Sequence, residues 1–287
     1  MNFLNRLPVV IFHLAAFGSG LLTIAVFMMM LYFGWPLLAS GQLFTLLTGE
    51  WNPAKGLYGI YPMLVGSVTI AFLALFFSLP VSLGTAFVAT ILSPPKVRKL
   101  VLGMVRFMAG IPTVLYGFVA IFLLVPFMRE QITGGSGLNM VTASMVLAIL
   151  IAPTMIVFFV SGLKNVKSDY CLAVDALGAS PVQKLLYLLI PQAWPSIVSG
   201  IIMGLGRAMG DTLVSLMLAG NSVAQPESIT DSGRSLTAHI ALVIAADFSS
   251  MEFKTIFACG ILLYIFTVIV VITLRGISGG KGLRPTQ

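Results

Sequence analysis

Away from the ends of the long apolar stretches of this chain only three Asp, Glu, Lys or Arg side chains occur, Arg106, Arg207 and Asp211. A charged group near the centre of a bilayer costs about 2.5 to 3.5 kcal/mol on insertion scales, so such residues usually face a cavity, carry function or pair with each other. Arg207 and Asp211 stand four positions apart, which puts them on one face of a continuous helix and within pairing reach. Two readings stay open. One is a self-neutralising structural ion pair; the other is a guanidinium that lends positive potential and forked donors to the path of an anion, with Asp211 tempering its grip. Arg106 follows the basic residues Lys96, Arg98 and Lys99 closely enough for its long stem to snorkel to the membrane surface.

A second constellation is polar, then apolar, and runs from Asp175 to Pro191. Ser180 is placed to cap a helix, Pro181 suits its first position and Gln183 falls at the third, the spacing of a capping box directly after a break at Gly178 and Ala179. Pro191 is expected to stop that helix, because it brings no N–H to the ladder. Catalytic patterns are missing. Met209-Gly210-Asp211 falls short of a Gly-x-Gly-Asp string and has no second intramembrane aspartate to share a proton with. No serine and histidine are set to form a nucleophile and base, and there is no Gly-x-x-x-x-Gly-Lys phosphate loop. The chain is therefore expected to be no enzyme, and to hold no metal and no cofactor.

The elements that position these groups follow from composition. The chain has 287 residues, of which 58% are hydrophobic and 9% charged. That is far from the soluble balance, and it predicts an all-α membrane protein. Six stretches are long enough to cross a bilayer, at about 9–38, 61–92, 100–128, 139–163, 195–220 and 253–275. The first is too long for the apolar core of a secretion signal and reads as a membrane helix. Segments 36–60 and 221–252 are polar loops, and no stretch is left for a soluble ATPase or binding domain, so one domain, 1–287, with a core of about 61–275 is expected. Within the second loop, Ser235 to Ala246 is too short to span and reads as an interfacial or re-entrant helix. His239 inside it, like His13, is read as a packing residue and not as a ligand.

Lysine and arginine fall unevenly among the loops. Arg6, Lys96, Arg98, Lys99, Lys164, Lys167, Lys184, Arg275, Lys281 and Arg284 share one side. The other side has Lys55, Arg129, Arg234 and Lys254, together with Glu50, Glu130, Glu227, Asp231, Asp247 and Glu252. Both termini and the 175–191 hairpin are therefore expected in the cytoplasm. The net charge of +7 is dispersed, with no basic run that would suit nucleic acid, so membrane lipid is the surface it meets. Cys171 and Cys259 fall on a loop and in a span and form no framework. Gly200, Gly204 and Ala208 on one face of the fifth span, with Gly206 and Gly210 on another, suggest a helix packed closely on two sides, as a pore-lining helix at a subunit interface would be. Pro80, Pro112 and Pro153 are expected to kink their spans.

The hairpin resembles the EAA loop of ABC-importer permeases, in which two short helices around a glycine dock into a cleft of the ATPase subunit. Other strings narrow the resemblance to the PstC-type permease of phosphate importers. These are Trp51-Asn52-Pro53, Tyr58-Gly59-Ile60-Tyr61-Pro62, Ala109-Gly110-Ile111-Pro112-Thr113-Val114-Leu115-Tyr116-Gly117, Gly206-Arg207-Ala208-Met209-Gly210-Asp211-Thr212, Ala219-Gly220-Asn221-Ser222 and Leu236-Thr237-Ala238-His239-Ile240. The resemblance implies a MetI-like permease fold in the inner membrane of a prokaryote, with a coupling loop at about 164–194. It further implies a PstA-type second permease, two copies of a PstB-type ATPase that bind ATP and magnesium, and a PstS-type phosphate-binding protein. By the same resemblance Asp175, Ala176, Gly178, Ala179 and Pro191 belong to the coupling loop, and Arg207, Asp211 and Thr212 to the substrate pathway. Two positions depart from the family pattern: Asp211 and Asp175 stand where glutamate is usual. Competing readings are a permease for another oxyanion, such as molybdate, tungstate or sulfate, and a membrane scaffold or sensor that uses the hairpin only to bind a partner.

Overall fold

A computed structural model describes residues 3–39, 43–133, 135–248 and 250–279; Lys281 and Arg284, which entered the charge argument, lie outside them. Six helical runs among these residues are long and apolar enough to cross a membrane. Helix α1 (Phe3–Ala39) is followed by the short α2 (Leu43–Thr48) and by a hairpin of β1 (Trp51–Asn52) against β2 (Leu57–Tyr58). Helix α3 (Tyr61–Phe87) continues through a π-helical turn, Val88–Leu92, and then come α4 (Pro95–Gly110) and α5 (Thr113–Met128). After α6 (Met140–Lys164) the chain makes the hairpin of α7 (Ser168–Ala176) and α8 (Pro181–Lys184). Helices α9 (Ile190–Gly210), α10 (Leu213–Leu218), α11 (Leu236–Val243) and α12 (Met251–Gly279) complete the order.

Two of the expected spans are interrupted. The run 100–128 breaks between α4 and α5 at Ile111 and Pro112, with Ile111 extended at φ −73° and ψ 128°. A residue before proline is pushed out of the helical region, and Pro112 supplies no N–H. Pro112 is thus a breaker between helices and not a kink inside one. The Tyr116 hydroxyl reaches back across the gap and donates to the Met108 carbonyl at 2.9 Å. Arg106 consequently sits in α4, outside the six candidate spans, and not within a membrane helix as expected.

The run 195–220 breaks at Asp211 and Thr212 with nearly the same backbone, φ −74° and ψ 128° at Asp211. No proline causes this break. Aspartate competes with the helix by bonding backbone N–H groups, and here its Oδ2 accepts from Val214 N at 2.9 Å and so opens α10.

Pro191 does not stop a helix. It lies inside the run that α8, the π-helical turn Leu185–Leu189 and α9 form without interruption, and that turn, where Ile190 N bonds the Leu185 carbonyl five residues back, absorbs the missing N–H. Of the three prolines expected to kink spans, Pro80 and Pro153 are helix-internal.

Helix α6 lies between α3 and α9 and forms the core, with Ile151, Met155 and Phe159 fully buried. Ser144 Oγ donates to the Ile70 carbonyl at 3.1 Å and ties α6 to α3. On the other side a Cβ at Gly200 would stand 2.7 Å from Phe159 Cε1, and one at Gly204 would stand 2.9 Å from Met155 Sδ. The Gly200, Gly204 and Ala208 stripe is therefore a contact inside the chain, with α6, and not a subunit interface. Lipid supplies no hydrophobic drive between helices, so such close packing is what holds α9. Gly204→Leu should lower the thermal midpoint of the purified protein by several degrees, since forcing side chains into a packed site costs about 1 to 3 kcal/mol. Gly84→Ala, where nothing stands within 4 Å of the new methyl, should leave it unchanged.

The bundle has two distinct ends. At one, α8 meets the π-helical turn after α3, whose Thr90 carbonyl accepts from Arg98, and Lys164 closes α6. At the other, Leu236 N donates to Ser67 Oγ at 2.7 Å and Met140 N donates to the Asp231 carbonyl at 3.1 Å. There His239 is fully buried, shares a 3.2 Å hydrogen bond with Thr255 Oγ1 and has the Trp51 ring edge-on at 4.5 Å. Burial and the nearby Arg234 charge push its pKa down to about 4. It is a packing residue, as expected, in a short helix that does not span.

Candidate substrate pathway and coupling hairpin

The hairpin is built by local signals. Gly178 has φ +75°, a left-handed conformation that costs glycine no Cβ strain. Its N–H bonds the Asp175 carbonyl at 3.0 Å and Ala179 N bonds the Val174 carbonyl at 3.3 Å, the paired closure of a Schellman motif that ends α7. The chain restarts at once. Ser180 Oγ accepts from Gln183 N at 3.3 Å, and Gln183 Oε1 accepts from Ser180 N at 2.8 Å, completing the capping box of α8.

Lys184 Nζ then reaches back to Asp175 at 2.7 and 2.9 Å and staples the two short helices together. The Asp175 side chain is half exposed, so the pair adds little stability and mainly fixes the angle of the tip. Sequence reading did not find that pair, whose nine-residue separation becomes contact only when the turn closes. It also passed over Leu172, Leu177, Val182 and Tyr187, large apolar side chains left exposed around a polar tip, Leu177 at 85%. Exposed apolar side chains clustered on a projection suit contact with another surface.

Arg207 lies in the last turn of α9, exposed on the surface of the subunit. It is not paired with Asp211. The ion pair of Lys184 with Asp175 in the hairpin has no counterpart between Arg207 and Asp211. The i, i+4 geometry that would pair Arg207 and Asp211 does not exist, because the helix ends at Gly210 and the carboxylate turns forward to cap α10. Arg207 Nη1 donates instead to Thr154 Oγ1 of α6 at 2.8 Å. That bond joins α9 to α6 beside the break.

The break itself is tied down. Thr237 of α11 donates its hydroxyl to the Asp211 carbonyl at 2.8 Å, and Thr212 gives its carbonyl to Leu216 N at 2.9 Å. Thr154, Tyr116 and Thr237 were not singled out from sequence for this centre. Their relevance appears only once the helices are in register. A guanidinium with one donor engaged, free of any carboxylate and backed by hydroxyl groups, is suited to replace part of the water shell of a passing anion.

Six candidate membrane-crossing helices, an exposed cation beside a helix break and a projecting helical hairpin fit a membrane transport subunit. The chain belongs to the family described as binding-protein-dependent transport system inner membrane component, whose model matches residues 78–279. It is 29% identical over 272 residues to the phosphate transport system permease protein PstC of Pasteurella multocida, covering 87% of this chain and 84% of that one. It is 28% identical over 235 residues to the probable ABC transporter permease protein YqgH of Bacillus subtilis, covering 81% and 76%. The PstC-type resemblance read from the motifs thus extends over most of the chain.

The fold matches a solved MetNI methionine ABC transporter in an inward-facing conformation, with a TM-score of 0.61 at 19% identity over 80% of this chain and all of that one. It also matches a bacterial alginate ABC transporter with a TM-score of 0.60 at 14% identity, over 97% of this chain and 100% of that one. The fold is that of an ABC-importer permease, and the protein is a multi-pass membrane permease subunit of that class.

Proposed function

We propose that the chain is one half of the membrane channel of an ATP-driven importer of inorganic phosphate. The observation that carries this reading is Arg207: a membrane-helix cation held by Thr154 and left without a carboxylate partner. It sits in a chain whose relatives at up to 29% identity are named phosphate permeases. Arg207 supplies charge and forked donors, Asp211 and Thr212 form the break beside it, and Asp175, Ala176, Gly178 and Ala179 form the tip of the coupling loop. Pro191, in the first turn of α9, belongs to the stem of that loop. A distinct PstA-type permease completes the channel, two PstB-type ATPase subunits bind ATP and magnesium, and a PstS-type protein delivers phosphate. ATP hydrolysis belongs to those partners, and this chain carries the motion.

The reading requires an orientation. Lys96, Arg98, Lys99, Lys164, Lys167 and Lys184 gather at the hairpin end, which we place in the cytoplasm together with both termini. In a cysteine-free background, a cysteine replacing Lys184 should react with an impermeant thiol reagent only from the cytoplasmic side, and one replacing Glu227 only from outside. Labelling of both from one side would remove the hairpin from the reach of an ATPase. Transport itself is tested by ATP-driven phosphate uptake in liposomes holding the purified complex and its loaded binding protein.

A further inference from the structure

We propose that Thr154 of α6 is a second anion-contacting group of the pathway: its hydroxyl aims Arg207 across the contact between α6 and α9 and donates its own hydrogen to the anion. The inference rests on the reading of Arg207 as a pathway residue, and adds to it a residue with which neither the motifs nor the charge pattern is concerned.

The geometry begins with which way the bond runs. Arg207 Nη1 is the donor and Thr154 Oγ1 the acceptor, at 2.8 Å. The threonine hydrogen is therefore not used in that bond. In membrane helices a threonine usually spends its hydrogen on the carbonyl one turn back, and Thr85, Thr90, Thr267 and Thr273 do so here at 2.7 to 2.8 Å. Thr154 has no such bond among the described residues. Its hydroxyl accepts from a cation and is left with a free donor, which that cation polarises.

Its surroundings point the same way. Ile151, Ala152, Pro153, Met155 and Ile156, its neighbours along α6, are all buried, whereas Thr154 is partly exposed on the side where Arg207 is exposed. The Tyr116 hydroxyl has given its hydrogen to the Met108 carbonyl. Arg207 keeps four further N–H donors, so guanidinium and hydroxyl together present converging donors to one oxyanion. The bond to Thr154 also removes rotamer freedom from a long side chain, so less order has to be gained when the anion arrives.

The test uses the complete importer, purified, reconstituted and loaded to equal permease content, with inorganic phosphate delivered by its binding protein. Thr154→Val keeps the shape and deletes the hydroxyl; Thr154→Ser keeps the hydroxyl. The valine variant should raise the KM for transport roughly tenfold, the scale of one lost hydrogen bond to a charged group, while the serine variant stays within about twofold of the parent. In an Arg207→Lys background, which keeps the charge without the fork, adding Thr154→Val should cost much less than it does alone, because the pair acts as a unit. Should the valine variant not assemble, Thr154→Ala carries the same expectation. Equal kinetics of the valine variant and the parent would overturn the inference, as would a serine variant as impaired as valine, which would mean packing. An Arg207→Ala importer that transports normally would sink the underlying reading instead, and that outcome is distinct from an inactive Arg207→Ala beside an unaffected Thr154→Val.

Discussion

Arg207→Ala should reduce phosphate uptake by at least about a hundredfold while the protein still reaches the membrane in normal amount. Stripping water from an anion inside a low-dielectric channel is costly unless donors and positive potential replace it, and Arg207 supplies both. The guanidinium is exposed and is bonded to Thr154, whose hydroxyl is itself partly exposed, so truncation leaves no buried polar group unpaired. Asp211→Asn should be much milder, within roughly threefold, because asparagine keeps an oxygen that accepts from Val214 N and still caps α10. Asp211→Ala removes that cap, worth about 1 kcal/mol, and should fall between the two. A structural ion pair predicts a different pattern, in which either single change lowers abundance and the double change to alanine restores both abundance and transport. Uptake and membrane abundance across the cycle separate them.

The second large effect is expected at Gly178. Its left-handed backbone excludes a β-branched side chain even though a Cβ there would meet nothing within 4 Å, so the cost is conformational and not steric crowding by neighbours. Gly178→Val should tilt or unravel the turn, break the closure of α7 and pull Lys184 away from Asp175. The complex should then hydrolyse ATP without responding to loaded binding protein, and uptake should fall at least about tenfold. Gly178→Asn, which tolerates the left-handed region, should keep most of the coupling. Normal uptake in the valine variant would show that the tip is not the mechanical link.

The contrast between these two sites shows what the chain discloses before it is folded. The hairpin was legible because each of its devices is local: a glycine with freedom to turn, Ser180 with Gln183 three positions on, Pro181 at the first helical place. Those bonds form as expected. The number of spans and the short helix around His239 were legible from length, whereas two of the expected runs, 100–128 and 195–220, are broken by local signals.

The pathway was not, and the reason is physical. A pairing rule for residues four apart presumes an unbroken helix, yet Asp211 has its own local option and takes it by capping the next helix. The partner of Arg207 is Thr154, 53 residues away, and the register between α6 and α9 that joins them is set by glycines packing on Phe159 and Met155. Sequence periodicity identifies such faces without saying which helix each one meets. Pro191 misled for a related reason, since a proline expected to end a helix is accommodated where a π-helical turn directly precedes it.

The central claim is that this chain forms half of a phosphate importer. Its most direct test is to purify the native complex through a tag on this chain, reconstitute it in liposomes with its loaded binding protein, and follow phosphate accumulation with and without ATP on the side of the hairpin. The account predicts ATP-dependent accumulation of phosphate on that side, lost in Arg207→Ala at equal protein content. A complex that hydrolyses ATP in response to a binding protein loaded with another solute, and moves no phosphate, would contradict it.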